Sequence, residues 1–268
     1  MGTLILAVTT LLLYSIGTAL QALDFRRRVD AHPTLTKTIG LLALASHGAL
    51  LALTVQAQEG YNFSFFHSAA IISWFIVALL LILSLRRPMF SLFLGIYPLA
   101  ALTIISLLVF HSPPRYISQD NWGMLSHISL SITAYSLFTL AAAQALLLHL
   151  QNRQLKHNYN SLLVRNLPPL QTMESVLFEL IWAGVIVLTL AIITGALFVD
   201  DLFVKSLAHK TAFSLIALAV FAALLAGRYA FGWRGRTATR WTLIGCALLM
   251  IGYFGSKLVL ELIIQRAG

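Results

Sequence analysis

Eight apolar runs of about twenty residues or more dominate this chain, at about 3–23, 35–57, 64–85, 89–110, 122–150, 175–199, 207–231 and 240–263. That is the length an α-helix needs to cross the hydrocarbon core of a bilayer. Lipid offers no water to satisfy a backbone N–H or C=O, so each run must make its hydrogen bonds internally, as a helix. The runs are continuous, without the alternation of ten-residue segments that marks an outer-membrane barrel. The fold class predicted is all-α: a polytopic membrane protein, a bundle of eight transmembrane helices. The breaks carry punctuation, with Arg26, Arg27, Arg28 and Pro33 after the first run and Arg86, Arg87 and Pro88 after the third. Pro113 and Pro114 follow the fourth run, and Pro168 and Pro169 precede the sixth. No break is long enough for a soluble domain and no repeat is evident, so residues 1–268 read as a single integral membrane domain with the lipid bilayer as its first partner.

Composition closes off the rival classes. Only 10% of residues are charged and the mean hydropathy is +0.86, whereas about a quarter of a soluble domain is charged. Disorder requires low hydrophobicity and high charge, the reverse of this chain. The net charge of +9 is scattered between apolar spans and forms no basic stripe, so no nucleic-acid partner is expected. It acts as an orientation signal instead. Thirteen of the eighteen Lys and Arg residues fall in alternate loops: Arg26, Arg27, Arg28, Lys37; Arg86, Arg87; Arg153, Lys156, Arg165; and Arg228, Arg234, Arg236, Arg240. Only Arg115, Lys205, Lys210, Lys257 and Arg266 lie on the other side. This split predicts both termini outside. The first span has no basic residue before it and an arginine cluster after it, which reads as an anchor rather than a cleaved signal peptide.

Chemistry is narrowed by what the chain lacks and by its histidines. Cys246 is the single cysteine, so thiol–disulfide relay, structural zinc and covalent c-type haem attachment are excluded. There is no phosphate loop, no zinc-protease motif and no nucleophile motif, so no catalytic residue and no enzymatic activity are expected. Of the eight histidines, His32, His149 and His157 read as solvated on the cytoplasmic side, while His67, His111, His127 and His209 fall at outer ends of spans. His47 lies near the middle of span two, where an ionisable group is costly and therefore a functional candidate. It shares a small and polar helical face with Gly40, Ala43 and Thr54. Two readings remain open for it: a neutral imidazole bonded to a neighbouring helix, or an axial ligand to haem iron. His127, one to two turns into span five, and His209, flanked by Lys205 and Lys210, are the candidate outer ligands. His47 is the favoured partner of His127, with His209 as an outer-rim contact whose lysines could meet haem propionates. Lys257 and Glu261, four residues apart, read as an interfacial pair, and Asp200 and Asp201 as solvated.

Five separated motifs add a family resemblance. They are His127-Ile128-Ser129-Leu130-Ser131 with Tyr135; Pro168-Pro169-Leu170 with Glu174; Thr194-Gly195; Gly232-Trp233-Arg234-Gly235-Arg236; and Tyr253-Phe254-Gly255-Ser256-Lys257. In this order they resemble the cytochrome c assembly membrane protein family (CcsA/CcmC-type), most closely its YpjD-like and HemX-like branch, over about 125–260. The resemblance implies a multi-pass protein of the bacterial inner (cytoplasmic) membrane, haem presented near the outer face, and His127 on an external ligand position. Three features depart from the family pattern. No Trp stands between Thr194 and His209, where a tryptophan-rich segment belongs, and the family's other two histidines are replaced around Ala226 and Ile264. The function implied is an accessory haem-binding or haem-handling protein holding haem b non-covalently, with a haem-pathway or other membrane protein as partner. The alternative is a regulatory or scaffold subunit of another membrane complex, such as an ion transporter, that kept the fold and lost haem.

Overall fold

The computed structural model describes residues 1–27, 33–157, 166–198 and 205–255. Arg28, His32, Arg165, Asp200, Asp201, Lys257, Glu261, Ile264 and Arg266 lie outside the described residues, as do residues 256–263 of the eighth expected span. The described chain contains eight helices long and apolar enough to cross a membrane. They are α1 (Gly2–Arg27), α2 (Pro33–Val55), α3 (Phe65–Leu83), α4 (Phe90–Val109), α5 (Trp122–His157), α6 (Leu170–Phe198), α7 (Lys205–Phe231) and α8 (Arg236–Met250), the last continued by a π-helical turn at Ile251–Gly255.

Most ends fall close to the apolar runs, and the exceptions have local causes. α5 runs on to His157 because Gln151, Arg153, Gln154 and Lys156 are good helix formers, although too polar to count toward an apolar window. α6 begins at Leu170, directly after Pro168 and Pro169, because proline is tolerated where a first-turn N–H needs no partner. α8 begins at Arg236 behind Gly235, whose φ of 57° suits glycine.

The chain forms two compact units, one of residues Met1–Ile117 with Gln154–Pro168, the other of Ser118–Arg153 with Pro169–Gly268. In the first, α1 packs on α2 and α4, and α3 packs on the same two helices. Ala7, Thr10, Tyr14, Gly17 and Gln21 make a buried stripe along α1, with steps of three or four residues. The facing stripe of α2 is the one read from the sequence, with Gly40, Ala43 and His47 buried and Thr54 at its half-buried end. Tyr97 of α4 lies against both stripes. A Cβ at Gly17 would come within 2.8 Å of its ring, and a Cβ at Gly40 would meet its hydroxyl. Beyond the helices, β1 (Gln56–Ala57), β2 (Gly60–Asn62) and β3 (Tyr116–Ile117) form a small antiparallel sheet in that order. Its hairpin turns at Gly60, at φ 129°, and Asn62 Oδ1 accepts the Ser64 and Arg115 backbone N–H groups at 3.0 and 3.2 Å. This shelf was not legible as strands in a six-residue break between apolar runs.

In the second unit α7 packs on α6 and α8, and α5 touches all three through side chains. Phe138 of α5 stacks on Phe221 of α7 at 4.0 Å. The Tyr135 hydroxyl donates to Leu249 O of α8 at 3.0 Å, and Gln144 Nε2 donates to Met173 O of α6 at 3.1 Å. The Cys246 thiol is buried and donates to Phe138 O at 3.1 Å, so the single cysteine serves packing.

Candidate functional site

His47 is placed by the two facing stripes of α1 and α2. Thr10 Oγ1 and Ser46 Oγ meet at 2.7 Å, and one turn along α1 the Tyr14 hydroxyl meets His47 Nδ1 at 3.1 Å. The Tyr14 and His47 rings stand edge to face at 5.9 Å, and Tyr97 lies 5.5 Å from Tyr14 on its other side. Tyr14 and His47 are both wholly buried, at 0% exposure. His47 Nε2 is buried as well and has no hydrogen-bond partner among the described residues. Leaving a buried polar atom unsatisfied costs about 1–3 kcal/mol, so such an atom calls for an explanation.

His127 is half-buried and held differently. Its Nδ1 lies 2.7 Å from the carbonyl oxygen of Ala191 on α6. A carbonyl can only accept, so Nδ1 carries the proton and the neutral ring presents Nε2 as a lone pair. No described residue bonds that Nε2. Thr194 Oγ1 approaches the same Ala191 carbonyl at 3.0 Å. At Gly195 a Cβ would lie 2.8 Å from His127 Cε1 and 3.0 Å from Nδ1, so the ring occupies the space that only glycine leaves.

The donor chemistry of both rings fits haem iron. Imidazole binds a metal through one ring nitrogen while the other bonds a neighbouring group, and in both residues Nδ1 is engaged and Nε2 is not. His47 belongs to the first unit, His127 and His209 to the second. His209 is exposed near the start of α7, and the Lys210 ammonium beside it lies 5.9 Å from the Tyr253 ring centroid. Among the other histidines, His67 Nδ1 bonds Ser64 Oγ at 2.8 Å, while His111 and His149 are exposed. No three His, Cys, Asp or Glu side chains gather to cage a metal among the described residues.

Sequence reading missed Tyr14, because the first span was read only as an anchor. The signal was present: Thr10, Tyr14 and Gly17 break its apolar surface at helical spacing, as Gly40, Ala43 and His47 do in span two. The five motifs of the second half also close on one another. His127 packs on Thr194-Gly195, and Tyr135 meets Tyr253 at 5.2 Å. Glu174, at the first turns of α6, accepts the Gly235 N–H at 2.7 Å, tying the double-proline motif to the glycine–tryptophan–arginine turn. Residues far apart in sequence thus act as three contact pairs.

Eight membrane-length helices among the described residues define a multi-pass membrane protein, with His47 wholly buried and His127 half-buried. The chain belongs to the cytochrome c assembly protein family, which matches residues 35–264. It is 29% identical over 263 residues to the inner membrane protein YpjD of Escherichia coli, covering 97% of this chain and 99% of that one. It is 28% identical over 134 residues to Protein HemX of Brevibacillus brevis, about half of each chain. A third relative, a 28.8 kDa protein of Azospirillum brasilense, is 34% identical over 140 residues, 52% of each chain. No solved structure matches the chain. The protein is a multi-pass inner-membrane protein of this family.

Proposed function

We propose that this protein binds haem b non-covalently, with His47 and His127 each a candidate iron ligand, and acts as an accessory haem-handling factor with no reaction of its own. One observation carries the reading: two imidazoles, each engaged at Nδ1, leave Nε2 without a partner among the described residues. Bound haem would supply an iron centre able to cycle between ferric and ferrous states, and His47 and His127 are the residues that would hold it. His47 would contribute a ligand screened from water, and His127 one whose tautomer is already fixed. His209 and Lys210 would serve as outer-rim contacts, the ammonium pairing with a propionate. The partition of basic residues supports both termini outside, which puts His127 toward the outer face.

The test is the absorption spectrum of protein purified from haem-replete cells, oxidised and then reduced with dithionite. The expected result is a Soret band that sharpens on reduction, with the split visible bands of six-coordinate bis-histidine haem. Protein with no Soret band would overturn the proposal and favour the regulatory or scaffold subunit that kept the fold and lost the cofactor.

A further inference from the structure

The Tyr14–His47 pair contains more information than a ligand assignment. A carbonyl partner, as at His127, permits one tautomer only. A hydroxyl can donate or accept, so Tyr14 is compatible with either tautomer of His47. The two arrangements differ in what they strand. With Tyr14 donating to Nδ1, the proton of the imidazole sits on Nε2, and that N–H is the single unsatisfied group of the pair. With Nδ1–H donating to Tyr14, the tyrosine's own hydrogen and the Nε2 lone pair are both left without partners among the described residues. Burial makes each stranded group costly, so the haem-free pair favours the arrangement with Tyr14 as donor.

A metal reverses that preference. Iron can bind Nε2 only as a lone pair, which requires the proton on Nδ1 and Tyr14 as acceptor. The tyrosine is held against His47 by its surroundings. Tyr97, lodged against Gly17 and Gly40, packs on one side of its ring, and the Thr10–Ser46 contact pins α1 to α2 one turn away.

We propose that Tyr14 is a positioning residue that sets the tautomer of His47, donating to Nδ1 in the haem-free protein and accepting from Nδ1–H when Nε2 takes iron. The second half rests on the haem reading above; the first does not. The ring stays neutral throughout, because the two tautomers differ only in which nitrogen carries its one proton. Haem capture at His47 is thereby conditional. A conditional ligand suits a cofactor that is held and then passed on, because the tautomer that Tyr14 favours without iron assists release.

The experiment is nitrogen NMR of protein labelled with ¹⁵N-histidine, haem-free and then loaded with dithionite-reduced haem, which is diamagnetic when six-coordinate. In the haem-free wild type, His47 should show a protonated Nε2 and a bare Nδ1, while His127 shows the reverse. In Tyr14→Phe the fixed pattern of His47 should collapse toward averaged shifts, and His127 should not move, which separates tautomer control from a general loss of fold. Loading with haem should transfer the His47 proton to Nδ1 in the wild type. A haem-free wild type with Nδ1 of His47 protonated, or a Tyr14→Phe spectrum identical to wild type, would overturn the proposal whether or not haem binds. A wild type that never takes up haem would overturn the haem reading and the conditional-capture half with it, while the haem-free spectra still decide the role of Tyr14.

Discussion

His47 in the first unit and His127 in the second are engaged through the same ring atom but by partners of different kinds. His47 is wholly buried and faces a side-chain hydroxyl, so its geometry depends on a residue that mutation can remove. His127 is half-buried and faces a main-chain carbonyl, which no substitution of Ala191 removes, and it depends instead on the empty space at Gly195. The first arrangement fixes position and allows a change of tautomer, while the second fixes both. The difference teaches that two histidines of one chain can be engaged at the same ring atom and still be unequally fixed in tautomer.

The comparison breaks most readily at Gly195. Gly195→Val places branched carbons where the His127 ring sits and forces the ring off Ala191, an overpacking strain of about 1–3 kcal/mol. Haem retained on purification should fall about tenfold for each 1.4 kcal/mol of that strain, read as the ratio of Soret to protein absorbance. Unchanged retention would show that His127 does not need its present seat. A smaller effect is expected in the first unit from Thr10→Val, which removes the hydroxyl bridge to Ser46 at nearly constant volume. An interhelical hydrogen bond within a membrane is worth about 0.6 kcal/mol on average, so denaturation should register a modest loss of stability. The His47 tautomer pattern should persist, and its loss would mean that Thr10, rather than Tyr14, governs the ring. The smallest effect belongs to His209→Ala. His209 is exposed and is proposed only as a rim contact, so the reduced spectrum should keep its band positions. Loss of the bis-histidine bands in this variant, with His47→Ala unchanged, would move the site outward and remove His47 from it.

Much of the fold was legible because lipid permits few solutions. An uninterrupted apolar run must be a helix, so all eight spans are evident in the sequence. The α2 stripe around His47 was readable for the same reason, since Gly40 and Ala43 are small where another helix must approach. The partners of the histidines were not readable. Ala191 offers His127 only a carbonyl, which every residue carries, so nothing in the residue's identity marks it. Tyr14 could have been noticed by its spacing from Thr10 and Gly17, but its pairing with a residue 33 positions away is set by how α1 packs on α2. The π-helical turn at Ile251–Gly255 likewise had no sequence signal, and it adjoins Leu249, whose carbonyl accepts the Tyr135 hydroxyl.

The central claim is the proposal that His47 and His127 each ligate haem iron, and electron paramagnetic resonance of the oxidised haem protein tests it most directly. The account predicts a low-spin bis-imidazole signal in the wild type, conversion to a high-spin signal in His47→Gly with low-spin character restored by added imidazole, and loss of most haem in His127→Gly. An unchanged low-spin signal in both variants would contradict it, because the iron would then be held by neither residue.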